Sequence, residues 1–382
     1  RRSRVLYLQG ESLLEGLVIR GGYAPEDPGG GVLVWSPSVL RDCLILQNTA
    51  LVGGGVANYA GGDGLTMDSC VIAGNHVFDD FAGGGGIGNY GIGDTPAVLD
   101  MANCLVLGNA AHAPDPMLGQ SRGGGVTNNS ILTMTNCTVV GNEADLGGGL
   151  RTDRNDAQTT ITNTVLVGNR AIPGPESGDD LAGDVELASR FNYIGGAADT
   201  NLEDGVNHNV IGGENAELWM RIEGDVIECI PAPGSALIDS GSTILAPAGT
   251  DLLGNPRVAG ASVDIGAVEG AQDLEPSFSL RSPTEGAEIA ADVQTPMLIL
   301  ADITMPVDTQ ADVFYDEDGV RDADEFYLAE NTPAARLAGG IFWNTIWTPT
   351  GEWVISAEVD YDSPSLSNVA QTPVSITPGT AG

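Results

Sequence analysis

The 382 residues carry 52 acidic and 15 basic side chains, a formal net charge of −37 at pH 7, and every basic residue is arginine. A surface of that sign repels nucleic acid and anionic membranes, which excludes both as partners, and it attracts cations. With 54 glycines, 5% aromatics and no apolar run near the roughly 18 residues a bilayer requires, this is the composition of a turn-rich repeat protein without a membrane span. Acid excess without lysine fits a saline habitat, where salt screens self-repulsion, as well as it fits a biased genome composition.

The chain opens on Arg1-Arg2-Ser3-Arg4, with neither an initiator Met nor a signal peptide. That is expected of a fragment, or of a chain whose targeting segment has been removed. A degenerate unit, LLEGLVIRGGYA, is followed by five copies: LRDCLILQNTA, MDSCVIAGNHV, MANCLVLGNAA, MTNCTVVGNEA and ITNTVLVGNRA. Cys43, Cys70, Cys104 and Cys137 share one register, with Thr164 in the fifth place. Five residues after each comes Asn48, Asn75, Asn109, Asn142 or Asn169, and a run of glycines precedes every copy. A period of roughly 25 to 35 residues is solenoid spacing.

The runs are short, rich in Val, Ile and Leu, and alternate in character, and glycine interrupts every window that would hold a helix. The pattern predicts a parallel β-helix whose equivalent residues stack in ladders. Cys is small and apolar and suits an interior ladder. Gly-Asn suits a corner because both residues tolerate left-handed backbone, and the Asn amides are placed to hydrogen-bond along the stack. The triple glycines suit places where coil backbones approach closely. Without a CxxC or a nearby His the cysteines do not form a zinc site. Stacking at about 4.8 Å leaves a disulfide between ladder neighbours open, but the shared register favours reduced thiols. Cys229 reads as a lone buried thiol.

Length varies mostly between the corner Asn and the next glycine run, at residues 76–82, 110–122 and 170–182. Stacking makes these inserts emerge from one edge. His76, Asp79, Asp80, His112, Asp115, Arg122, Asp179 and Asp180 then share one surface, the candidate site for a cation, a sugar or a partner; plain polar loops are the alternative. No residue is assigned a catalytic role.

FNYIGG and HNVIGG echo each other before the stretch PAPGSALIDSGSTILAPAGTDLLGNPRVAGASVDIGAVEG. Its order of Gly-Ser-x-x-Ile-Asp-x-Gly, Asp-x-x-Gly-x-Pro-Arg and Asp-Ile-Gly-Ala-x-Glu resembles the end of bacterial choice-of-anchor Q proteins. The Gly and Asn-Cys repeats are similar to those of that family and of polymorphic outer-membrane proteins. The resemblance covers roughly residues 10 to 270. It implies a right-handed parallel β-helix of the pectate-lyase-like superfamily and a secreted or surface-attached location, although no sorting signal or apolar tail follows Ser375. In the motif, Arg257 among Asp239, Asp251, Asp264 and Glu269 is expected to be an ion-pair hub closing the last coil.

After residue 270 the cysteines and triple glycines stop, and Trp343, Trp347 and Trp353 accompany runs spaced like a β-sandwich. The closing stretch, TGEWVISAEVDYDSPSLSNVAQTPVSIT, resembles the last strands of a bacterial immunoglobulin-like module. Earlier in the module, at Tyr315 to Phe326, Asp316, Asp318, Asp322, Asp324 and Glu325 crowd around Gly319, a pattern of hard oxygen ligands that suits Ca2+. The spacing resembles the aspartate-rich loops of thrombospondin type 3 repeats; a solvated acidic loop is the alternative.

These readings give an all-β chain: a right-handed parallel β-helix over 1–270, then a linker and an immunoglobulin-like sandwich over 271–382. The expected function is a non-enzymatic extracellular or cell-surface structural or adhesive protein. Its partners would be a glycan, a surface protein, or further copies of itself stacked head to tail over open coil ends. The alternative is a calcium-assisted lyase or hydrolase of anionic polysaccharides at the loop edge.

Overall fold

The computed structural model describes residues 3–78, 83–113, 120–153, 156–172, 178–213, 216–290, 297–316, 326–338, 340–343, 350–361 and 369–377. The repeats form four stacked sheets in which every strand pairs in parallel with its equivalent in the next coil. Face one stacks eight strands, from Leu6–Leu8 to Ala197–Ala198, and face two six, from Ser12–Glu15 to Gln158–Thr162. Face three stacks eight, from Val18–Arg20 to Val210–Ile211, and face four six, from Tyr23–Pro28 to Arg170–Ala171. This is a parallel β-helix, as the repeats predicted.

The ladders are internal. Cys43, Cys70, Cys104 and Cys137 are fully buried free thiols. Their Sγ atoms donate to the carbonyl two residues back, at 3.2 Å from Cys43 to Arg41 and 3.1 Å from Cys104 to Ala102. Thr164 makes the same bond through its hydroxyl at 2.9 Å, and Asn192 and Asn209 continue the column. The corner Asn ladder is stricter. From Asn75 on, each Asn receives, on its Oδ1, both the backbone N–H and the side-chain Nδ2–H of the Asn one coil before; for Asn109 both bonds from Asn75 are 2.9 Å. A second amide ladder, Asn58–Asn89–Asn128, closes on Thr159.

The corner itself differs from expectation in one respect. Gly74, Gly108, Gly141 and Gly168 hold the positive φ, and the following Asn supplies the ladder. Within the repeats the left-handed asparagines are instead Asn103, Asn136 and Asn163, directly before the cysteine column. A Cβ on the middle residue of a triple glycine, at Gly54 or Gly85, would overlap carbonyl oxygens of the next coil, so the close approach is real.

The short strands of face three, such as Leu105–Leu107 and Val165–Val167, do not alternate in burial, because both of their sides are covered. Val106, Val139 and Leu166 face the helix interior. Leu105, Leu107, Val140 and Val165 face outward into a core shared with the second unit.

That unit is a sandwich of two mostly antiparallel sheets. One holds Val226–Pro231, Leu218–Glu223, Met297–Pro306, Ser277–Ser282 and Ile341–Trp343. The other holds Ala287–Ala290, Val369–Thr377, Gly351–Val359, Gln310–Asp316 and Phe326–Pro333. The boundary read at residue 270 is therefore crossed by a sheet: the hairpin 218–231 precedes it in sequence but pairs with Met297–Pro306.

The segment 232–270 then returns to the flank of the helix. Asn136 Nδ2 donates to the Asp264 and Gly266 carbonyls, and the Thr138 hydroxyl accepts from Ala267 N–H at 3.0 Å. Arg257 is buried, donates to the Gly266 and Ala267 carbonyls, and lies 3.5 Å from Glu269. Asp251 and Asp264 accept backbone N–H bonds that tie the loop together. The motif thus staples a loop along the side of the coils rather than closing the last one.

Asn109→Ala is expected to lower stability by about 2–4 kcal/mol, because it strands the donors of Asn75 in a dry interior. Denaturant unfolding followed by circular dichroism would check this, with an exposed Asn substitution as control.

Candidate functional site

The residue after each corner Asn lies on face four, and in register this column reads Thr49, His76, Ala110, Glu143, Arg170. Pleating turns the next residue inward, where Val77, Ala111 and Ala144 pack together. The column itself meets the sandwich. The 3-10 turn Ala334–Ala338 lies against the glycine corners, and a Cβ on Gly108 or Gly141 would collide with Ala335. At these corners glycine serves twice, for its backbone angle and for the contact.

Between helix and sandwich this arrangement encloses an ionic cluster. Arg336, buried, donates through Nη1 to His76 Nε2 at 2.9 Å and to the Gly108 carbonyl at 3.4 Å. Ala110, between His76 and Glu143 in the column, presents only a methyl. The Glu143 carboxylate takes three partners: His112 Nε2 at 3.1 Å, Arg170 Nη1 at 3.2 Å and the Thr332 hydroxyl at 3.0 Å. The His76 and His112 rings lie 6.3 Å apart.

The electrostatics follow from enclosure. Burial by itself would raise the Glu143 pKa, but the hydrogen bond and charge of His112, with Arg336 and Arg170, outweigh it and hold it at about 2. His76 is pushed well below its usual value by burial, then by Arg336 and His112. It is therefore neutral and accepts from Arg336 on Nε2, which places its proton on Nδ1. Burial also lowers Arg336, against the pull of Glu143. A neutral His, an ionised Glu and an enclosed Arg make a fastening between two units.

The other residues expected at this edge go elsewhere. Arg122 forms an ion pair with Asp153 on the face-one side. Asp179 accepts the Ala171 N–H at 2.7 Å. Asp180 is buried and ends the Asn ladder: Oδ1 takes both donors of Asn169, at 2.9 and 2.7 Å, and Oδ2 takes the Gly196 N–H at 2.6 Å. It stands in for the asparagine that the next coil lacks. Burial pushes its pKa up to about 7, against the Asn169 and Gly196 donors, with Asp179 adding to the rise. Asp79, Asp80 and Asp115 lie outside the described residues.

Of the proposed calcium ligands, Asp318, Asp322, Asp324 and Glu325 also lie outside the described residues. Asp316 is buried at the end of its strand, in register with Val354. Among the described residues no three His, Cys, Asp or Glu side chains gather as metal ligands. Nor is any helix among them long and apolar enough to cross a membrane.

The residues that sequence reasoning missed are Glu143, Arg170, Thr332 and Arg336. The first two had a signal, since they occupy the same column as His76. Thr332 and Arg336 come from a different unit and had none. Fold and site together define a parallel β-helix with a sandwich clasped to its side. No family model, no characterised protein and no solved structure matches this chain.

Two pH effects of opposite sign are expected. The folded pKa of Glu143 lies below its ordinary value of 4.5, so its contribution is complete above about pH 4.5 and is lost as the pH falls toward 2. Glu143→Gln should cost about 1–3 kcal/mol at neutral pH by leaving buried Arg336 and the partly exposed His112 and Arg170 without their counter-charge, and should remove that acid-limb slope. The folded pKa of Asp180 lies above its ordinary 3.8, so the folded chain holds a proton that the unfolded chain releases, and stability falls as the pH rises toward 7. Asp180→Asn should abolish that second slope. Unfolding midpoints of each variant against the parent, measured from pH 2 to 8, test both.

Proposed function

We propose that this chain is a non-enzymatic structural or adhesive protein of the cell surface or extracellular space. One observation carries the reading: the helix edge best supplied with reactive side chains seats the sandwich. His76, Glu143 and Arg336 are enclosed there and bonded to one another's neighbours. The polar ladders are likewise satisfied internally, which stiffens the rod along its axis. Calcium-assisted polysaccharide cleavage draws less support, because a long anionic substrate would have to reach that closed junction against a net charge of −37.

Kinship with choice-of-anchor Q proteins belongs to the same proposal and rests on the terminal motif, whose Asp251, Arg257, Asp264 and Glu269 form one connected network. So does head-to-tail assembly. In it the parallel sheets of one copy would continue those of the next.

The test is electron microscopy and light scattering of the whole protein, with and without calcium, beside incubation with a panel of anionic polysaccharides. Rods or filaments that leave the polysaccharides intact are the expected result. New reducing ends or unsaturated sugars would replace this reading with the enzymatic one.

A further inference from the structure

At the last coils, helix and sandwich draw apart around a cleft of about 880 Å3. Its origin lies in the echoed Ile-Gly-Gly sequences. Ile194 pairs with Leu166 and with Ile211. The residue that follows is Val167 in the sixth coil but Gly195 and then Gly212 in the next two. The outward column of Leu107, Val140 and Val167 therefore stops, and Gly195 and Gly213 line the space. Val167 and Gly168 form its near edge.

The sandwich supplies the other walls. The Trp219 and Tyr361 rings stand nearly perpendicular, with centroids 6.1 Å apart and an angle of 81°. Three acidic residues line the same cleft: Glu217, two residues before the Trp, and Asp308 and Asp360 from the strand ends. Among the described residues no arginine lines it, and none of the three carboxylates is ion-paired. The volume is that of a small-molecule site.

We propose that this cleft binds a small organic ammonium ion, held by cation–π contact with Trp219 and Tyr361 and by the charges of Glu217, Asp308 and Asp360. Two perpendicular aromatic walls offer electron-rich faces to a diffuse cation, and desolvation in a half-enclosed cleft strengthens that attraction. The field of a −37 chain concentrates cations and repels anions. A bare metal ion has no use for the indole and phenol. A neutral sugar has no need of three carboxylates. The site is separate from the scaffold reading and stands or falls without it.

The experiment is calorimetric titration of the full chain with choline, with its neutral isostere 3,3-dimethyl-1-butanol, and with a neutral oligosaccharide. Choline is expected to bind at one site, with the isostere weaker by about tenfold and choline weakened as salt rises. Trp219→Ala should weaken choline by a similar factor. Because Trp219 sits in a strand, Asp360→Asn accompanies it and should lower affinity severalfold. The proposal is overturned if choline fails to bind by about 10 mM. It is equally overturned if choline and the isostere bind alike, which would mark an apolar pocket, or if only the saccharide binds, which would mark a sugar site.

Discussion

A buried asparagine must find its hydrogen bonds inside the protein, and here only the next coil in register can provide them. Each corner amide from Asn75 to Asn169 accepts two N–H bonds from the coil before and gives its own to the coil after, and Asn48 starts the run by accepting the Gly22 N–H. A slip of one residue would bury those groups unpaired, at a cost of about 1–3 kcal/mol for each. The register therefore tolerates insertion where no ladder residue intervenes, as between the corner Asn and the next glycine run and between faces one and two. Where the seventh coil lacks its Asn, Asp180 is drawn from such an insert to keep the chain of bonds closed. It accepts a raised pKa as the consequence.

The second unit exploits what that regularity leaves outside. Face three is apolar on both sides, so its outer surface needs a cover. The glycine corners let a backbone approach that any Cβ would hold off. The sandwich satisfies both conditions, bringing Arg336 and Thr332 onto a column that already holds His76, Glu143 and Arg170. Enclosed charges add little net stability in general, but once enclosed each depends on its partners. The cluster is better understood as fixing where the sandwich sits than as strengthening the whole.

Much of this was legible in the repeats. Cysteine, asparagine and glycine at fixed offsets leave few alternatives to a parallel β-helix, because they describe an interior column, a satisfied corner and a crowded bend. His76 and His112 were rightly brought to one edge, since stacking follows from register alone. Other expectations failed for reasons of contact. Asp179 and Asp180 were read as loop residues facing a ligand, but their carboxylates complete the internal bonding of the coils. Arg257 was placed at the end of the helix, yet its loop lies along the flank, held by Asn136 and Thr138. The strands 218–231 sit in the sequence among helix segments and belong to the sandwich.

The sequence by itself determined the periodic part of the protein: which residues stack, in what register, and which edge carries the inserts. Repetition makes that local, because each coil meets only its neighbours and the same offsets recur. Only the tertiary structure decided what covers the outer side of face three, which charges meet across the junction, and where the cleft at Trp219 opens. Those contacts join residues such as His76 and Arg336, 260 positions apart, through surfaces with no common period. No spacing within one unit encodes where another will land, so the fold was readable from the repeats and the site from the packing alone.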